Sequence, residues 1–174
     1  MALKVSRVEV WGGDIQDQVG GLADVLEAIG ASGGSLQCVI GRRRTGQAGV
    51  GEVFITPVTG SRSESGASGA GLKRLAHLPT LRVEGADSPG LGGRMMRAIA
   101  NQGVNVRGVS AAALGGDFVV YLGFDSDGDA ERAATALKGL QVPGARGVGG
   151  TKSAKGAKKT VKKAAKKATK KRGR

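Results

Sequence analysis

Shifted by 70 residues, the chain matches itself. The offset lays Asp17 on Asp87, Gly20 on Gly90, Val25 on Met95, Ile29 on Ile99, Gly33 on Gly103 and Leu36 on Val106 without a gap. Turn glycines and helix-spaced apolar positions agree together, which marks an internal duplication. Any fold for this chain must therefore be built twice.

Each copy carries the same local signals. Arg7-Val8-Glu9-Val10-Trp11 alternates apolar and polar residues as a half-buried strand does, and Leu22, Val25, Leu26 and Ile29 fall on one face of a helix. Ala31-Ser32-Gly33-Gly34 stops that helix, because glycine tolerates the left-handed position after a helix end. Strand-like runs follow at Leu36–Ile40 and Val53–Val58, separated by a loop rich in arginine and glycine. Gly60–Leu78 is loaded with serine and glycine, with only Leu72 and Leu75 hinting at a short helix. The second copy begins at Thr80: a strand at Leu81–Glu84, the turn Asp87–Gly90, and a helix striped by Leu91, Met95, Ala98 and Ile99. Strands at Val104–Val109 and Asp117–Phe124 and a helix through Ala130, Ala133, Ala134 and Leu137 complete it.

Strand–helix–strand–strand–helix, with room for a last short strand, is the split βαβ plan of ferredoxin-like α+β folds. The expected organisation is one βαββαβ module over residues 4–78, a second over 79–142, and a tail over 143–174. A repeat of about 70 residues has a marginal core alone, so pairing of modules or of whole chains is the physical expectation.

Charge separates body from tail. The chain carries a formal charge of +13, but residues 151–174 hold 10 Lys, 2 Arg and no acid, leaving +1 on the first 150 residues. No apolar run approaches the about 18 residues that cross a bilayer, and the N-terminus lacks a signal-peptide pattern, so a cytoplasmic protein without a membrane partner is expected. A single cysteine, Cys38, and a single histidine, His77, leave no thiolate or imidazole cluster for a metal. No Ser/His/Asp, Cys/His or paired-carboxylate arrangement can be assembled. The expectation is a protein that is not an enzyme and needs no cofactor.

At the strand-to-helix turns the sequence resembles the ACT domain, a small ligand-sensing module of amino-acid metabolism. The second repeat carries Asp87-Ser88-Pro89-Gly90-Leu91 after a strand, then Gly103-Val104-Asn105-Val106 after the helix. The first carries Asp17-Gln18-Val19-Gly20-Gly21-Leu22 and Gly33-Gly34-Ser35-Leu36. Trp11, Arg42-Arg43-Arg44 and Thr56-Pro57-Val58 extend the likeness to small bacterial tandem-ACT proteins over roughly residues 4–141. The resemblance implies a free amino acid held at Asp87, Pro89, Gly90, Leu91, Asn105 and Val106, and at Asp17, Gly20, Gly21 and Leu22. Val19 stands where the family has proline, and Ser35 where the second repeat has Asn105, so the second repeat fits the pattern better.

The residues permit that chemistry independently. A glycine turn opening a helix presents unpaired N–H groups beside a positive dipole end, which suits a carboxylate, and a neighbouring Asp can pair with an amino group. Equally, the Asp can cap the helix while glycine only shapes the turn. Elsewhere, Trp11 reads as a core anchor, Arg42–Arg44 as a solvated loop, His77 as a surface residue, and Cys38 and Met95 as packing residues. Asp125-Ser126-Asp127-Gly128-Asp129 reads as a turn and helix cap rather than a calcium loop.

The tail resembles those of linker histones. Lys158, Lys159, Lys162, Lys163, Lys166, Lys167, Lys170 and Lys171 recur as pairs every four residues, leaving no apolar face. Self-repulsion predicts a disordered segment that binds DNA or RNA phosphates without sequence preference, or one that only solubilises the protein. Two functions follow: an amino-acid sensor acting through a homodimer or higher oligomer, or a nucleoid-associated protein in which the ACT pair only dimerises.

Overall fold

The computed structural model describes residues 2–141. The chain runs through β1 (Lys4–Val8), β2 (Trp11–Gln16), α1 (Gly21–Ala31), β3 (Cys38–Arg43), β4 (Val50–Thr56), α2 (Ser61–Gly69) and β5 (Lys73–Arg74). It continues through β6 (Thr80–Ala86), α3 (Leu91–Ala100), β7 (Gly108–Leu114), β8 (Asp117–Gly123) and α4 (Asp127–Lys138). These form two antiparallel four-stranded sheets, ordered β3-β4-β2-β5 and β1-β6-β8-β7, each carrying two helices. The architecture is two ferredoxin-like modules.

The duplication is visible atom by atom. Gly20 and Gly90 precede the first helix of each module with φ of 91° and 79°, and Gly33 and Gly103 follow it at 83° and 66°. Asp17 N–H donates to the Gly49 carbonyl just as Asp87 N–H donates to that of Gly116. Gln37 N–H reaches the Thr56 carbonyl as Arg107 N–H reaches that of Gly123.

The N-terminus departs from the expected split. The run Arg7–Trp11 is not one strand: β1 ends at Val8 and β2 begins at Trp11. Strand β1 pairs antiparallel with β6, Lys4 opposite Glu84 and Val8 opposite Thr80, so it belongs to the second sheet. It occupies there the position that β5 holds beside β2 in the first. The second module is thus a circular permutation of the first, with the first inserted after its opening strand, and the sheets do not follow a division at residue 78. Leu3 is buried and Val5 partly buried against the second core, which explains the choice of sheet.

The cores differ in content. Leu81, Val83, Met95, Ile99, Leu122, Phe124 and Leu137 fill the second, all at most 1% exposed. The first gathers Trp11, Val25, Ile29, Val53, Ile55, Val58, Ala67 and Leu72. Each large apolar side chain so buried contributes about 1.5–3 kcal/mol.

Two further readings are corrected. The segment around Leu72 and Leu75 is not helical; the helix is the Ser/Gly run before it, α2. Small residues are required there because α2 packs tightly on α1: a Cβ on Gly66 would lie 2.4 Å from Ser32 Oγ and 3.2 Å from the Ala28 carbonyl. Arg42 and Arg43 extend strand β3 rather than lying in a solvated loop, and all three arginines face carboxylates. The Asp125–Asp129 run is a helix start, with Ser126 Oγ accepting from Asp129 N–H at 3.1 Å. Trp11 is a core residue, as expected, but opens a strand instead of ending one.

Candidate functional site

Apart from Asn105 and Val106, which lie between α3 and β7, the sequence-marked residues fall at two equivalent helix starts, β2–α1 and β6–α3. Within each, the helix start follows from glycine. A residue with φ near +80° would cost an L-side chain about 1–2 kcal/mol, and Gly20 and Gly90 avoid this. Neither helix has a side-chain cap, so Asp17 and Asp87 do not close the helix ends; their own amides bind the facing hairpin instead.

The first turn is internally satisfied. Asp17 accepts from Arg43 Nε at 3.1 Å, with the guanidinium 3.0 Å from its other oxygen. Leu22 lies over strand β3, where a Cβ on Gly41 would sit 3.3 Å from its Cδ2. Gly21 is buried, its Cα facing the Gln16 carbonyl too closely for any side chain.

The second turn keeps the backbone and loses both closures. Ala113 occupies the position of Arg43 and Gly92 that of Leu22. Asp87 is exposed and its carboxylate has no ion-pair or hydrogen-bond partner among the described residues. The helix opens Gly90-Leu91-Gly92-Gly93, and open space surrounds Gly90, Gly92 and Gly93 where Cβ atoms would be. The amides of Gly92 and Gly93 lie in the first turn, where no intrahelical carbonyl can reach them. Leu91 is 2% exposed and anchors the turn in the same core that holds Val104 and, partly buried, Val106. Asn105, between those two, is exposed, as is Pro89.

Sequence reading missed Arg94. Its Nη2 donates to Ser88 Oγ at 3.1 Å, and its buried Nε has no partner among the described residues. The signal was present in the chain: an arginine near a helix start opposes the dipole, and α3 has no acidic residue in its first turn. Arg94, tied to Ser88, and the first-turn glycine amides thus belong to the same helix start as Asp87. Donors and an acid on one turn are the two kinds of group that a zwitterion needs.

No group of three or more His, Cys, Asp or Glu among the described residues could hold a metal, and none of their helices is long and apolar enough to cross a membrane. The tail lysines from Lys158 to Lys171 lie outside the described residues.

No protein-family profile matches the chain, and no curated protein sequence does. Solved structures do. The regulatory subunit of aspartate kinase from Thermus thermophilus, in its ligand-free form, shares 16% identity at a TM-score of 0.56, over 79% of this chain and 95% of that one. The corresponding Thermus flavus subunit gives 17% and 0.53 over the same shares. Protein BT0572 from Bacteroides thetaiotaomicron gives 11% and 0.63, over 78% and 99%. The described body thus shares the fold of those proteins across nearly their full length.

Proposed function

We propose that the protein is a non-enzymatic regulatory sensor that binds a free amino acid at the β6–α3 turn. The observation that supports this most is the contrast between the two turns: one backbone, with the acid of the first neutralised and that of the second unpaired among the described residues. In this reading the ligand carboxylate meets the Gly92 and Gly93 amides and Arg94. Its ammonium meets Asp87, and Pro89, Leu91, Asn105 and Val106 shape the surroundings. Asp17, Gly20, Gly21 and Leu22 form the structural counterpart. The similarity to aspartate kinase regulatory subunits supports a regulatory role for such a body.

Calorimetric titration of the full chain with the common amino acids tests it. One or a few should bind, and Asp87→Asn should weaken the hit about tenfold or more, equivalent to about 1.4 kcal/mol. Heat from none of them contradicts the reading.

The assembly state supplies the response. Among the described residues strand β7 pairs only with β8, and none of them lies along its other edge. Its sequence Gly-Val-Ser-Ala-Ala-Ala-Leu has no charge or proline to block pairing, and Val109 and Leu114 are 62% and 88% exposed. Open edges of this kind pair with other strands, and a second copy placed antiparallel would extend the sheet. Sedimentation should show a dimer that Ala112→Lys disrupts.

The tail supports an added role in binding DNA or RNA, because the 12 basic residues of 151–174 lie apart from a near-neutral body. With about 6 phosphate contacts, log K should fall with log salt at a slope near −5, and removing residues 143–174 should abolish binding. A sensor keeps its amino-acid response after that deletion; a protein whose modules only dimerise has none to keep.

A further inference from the structure

Away from the two turns, a cleft of about 630 Å³ opens between the modules. Its walls are the sheet faces turned away from the helices, and none of the turn residues contributes to it. Ile40 and Phe54 rise from the first sheet, Tyr121 and Ser110 from the second, and the segment Leu75–Pro79 runs between them. Two glycines let that segment wedge in. A Cβ on Gly12 would lie 2.9 Å from Leu75 Cδ1, and one on Gly123 would lie 3.0 Å from Leu78 Cδ1. The size suits a small-molecule pocket, typically about 300–1,000 Å³.

Charge selects the occupant. Arg42 pairs with Glu52 at 2.6 Å and Arg44 with Asp14, so the four charged groups on the first sheet cancel. Arg107 is the cation left over among the lining residues. Its partner, Asp125, lies outside the cleft at 3.5 Å, and both side chains are about half exposed. The Ser110 hydroxyl has no hydrogen bond among the described residues. An apolar floor, a hydroxyl without a hydrogen bond and one cation whose sole carboxylate partner lies outside the cleft, in a long and half-exposed pair, fit a molecule with an apolar body and one negative charge.

We propose that this cleft is a second ligand site, taking a small amphipathic monoanion whose aliphatic or aromatic body lies on Phe54, Ile40 and Leu75 and whose carboxylate meets Arg107. Occupancy would couple to the angle between the modules, because both sheets and the segment joining them contribute walls. The site is separate from the Asp87 turn and stands or falls independently of it.

Cys38 is the chain's only cysteine and lines the cleft, so its alkylation reports occupancy there and not on the basic tail. The experiment measures the rate of iodoacetamide reaction in the full chain, with 1-naphthoate or its neutral amide as competitor. Naphthoate should slow the reaction about tenfold at a concentration about ten times its dissociation constant. The amide should protect much less at the same concentration, and Arg107→Gln should erase the difference. Protection by neither compound, equal protection by both in the unaltered chain, or a difference that survives Arg107→Gln overturns the proposal.

Discussion

The two modules share a backbone and differ in what their side chains leave open. In the first, Arg43 neutralises Asp17 and Leu22 covers strand β3; in the second, Ala113 and Gly92 stand at those places and Asp87 faces solvent. The left-handed glycines, the hairpin contact of the Asp amide and the helix that follows are common to both. Fold geometry therefore does not distinguish the closed turn from the open one. A few side chains around a shared backbone do.

The largest effect should come from the core. Leu122 is wholly buried in the second module, and Leu122→Ala should cost about 2–5 kcal/mol. Hydrogen exchange would then show weakened protection in Lys4–Val8 together with residues 80–123, while 11–56 is less affected. Loss of Lys4–Val8 together with the first module instead would break the permuted pairing. Trp11 in one core and Tyr121 on the other sheet give separate optical reports of the two modules.

Exchanging the closures should move binding. Ala113→Arg places a guanidinium where Arg43 sits relative to its Asp, and should weaken amino-acid binding by calorimetry about tenfold or more, or about 1.4 kcal/mol. The reciprocal Arg43→Ala frees Asp17 and should change folding stability in denaturant by about 1 kcal/mol or less, because that guanidinium is largely exposed.

The smallest effect is one of pH. Burial pushes the Cys38 thiol above its ordinary value of 9.0, and pushes the Tyr121 hydroxyl above 10.0, the latter partly offset by Arg82. Both groups fold in their neutral forms. Their contribution to stability is complete below the unfolded pKa and fades as pH rises through the folded one. Denaturant midpoints should thus begin to fall above about pH 9, and Cys38→Ala should remove the earlier part of that decline.

The duplication, both first helices and the turns were legible because they rest on local rules: glycine at positive φ, and apolar spacing along a helix. Val25 and Ile29 were recovered as buried, and so were Leu91, Met95 and Ile99. Helix α2 was obscured because its serines and glycines serve close packing on α1, and a backbone approach leaves no apolar stripe to read. The membership of β1 was hidden because alternation within Arg7–Trp11 says nothing about which sheet receives the strand. For the site, the sequence marked both turns, but the pairing of Asp17 by Arg43 and the lone position of Asp87 arise from contacts across the fold. Arg94 went unnoticed although its place near a helix start was written in the chain.

In the proposed function the second turn binds an amino acid and the first does not. This difference is tested most directly by titrating the isotopically labelled full chain with the common amino acids and following glycine amide resonances. A ligand should move Gly90, Gly92 and Gly93 and leave Gly20 and Gly21 in place. Shifts confined to Gly20 and Gly21, or no shift for any amino acid, would contradict it.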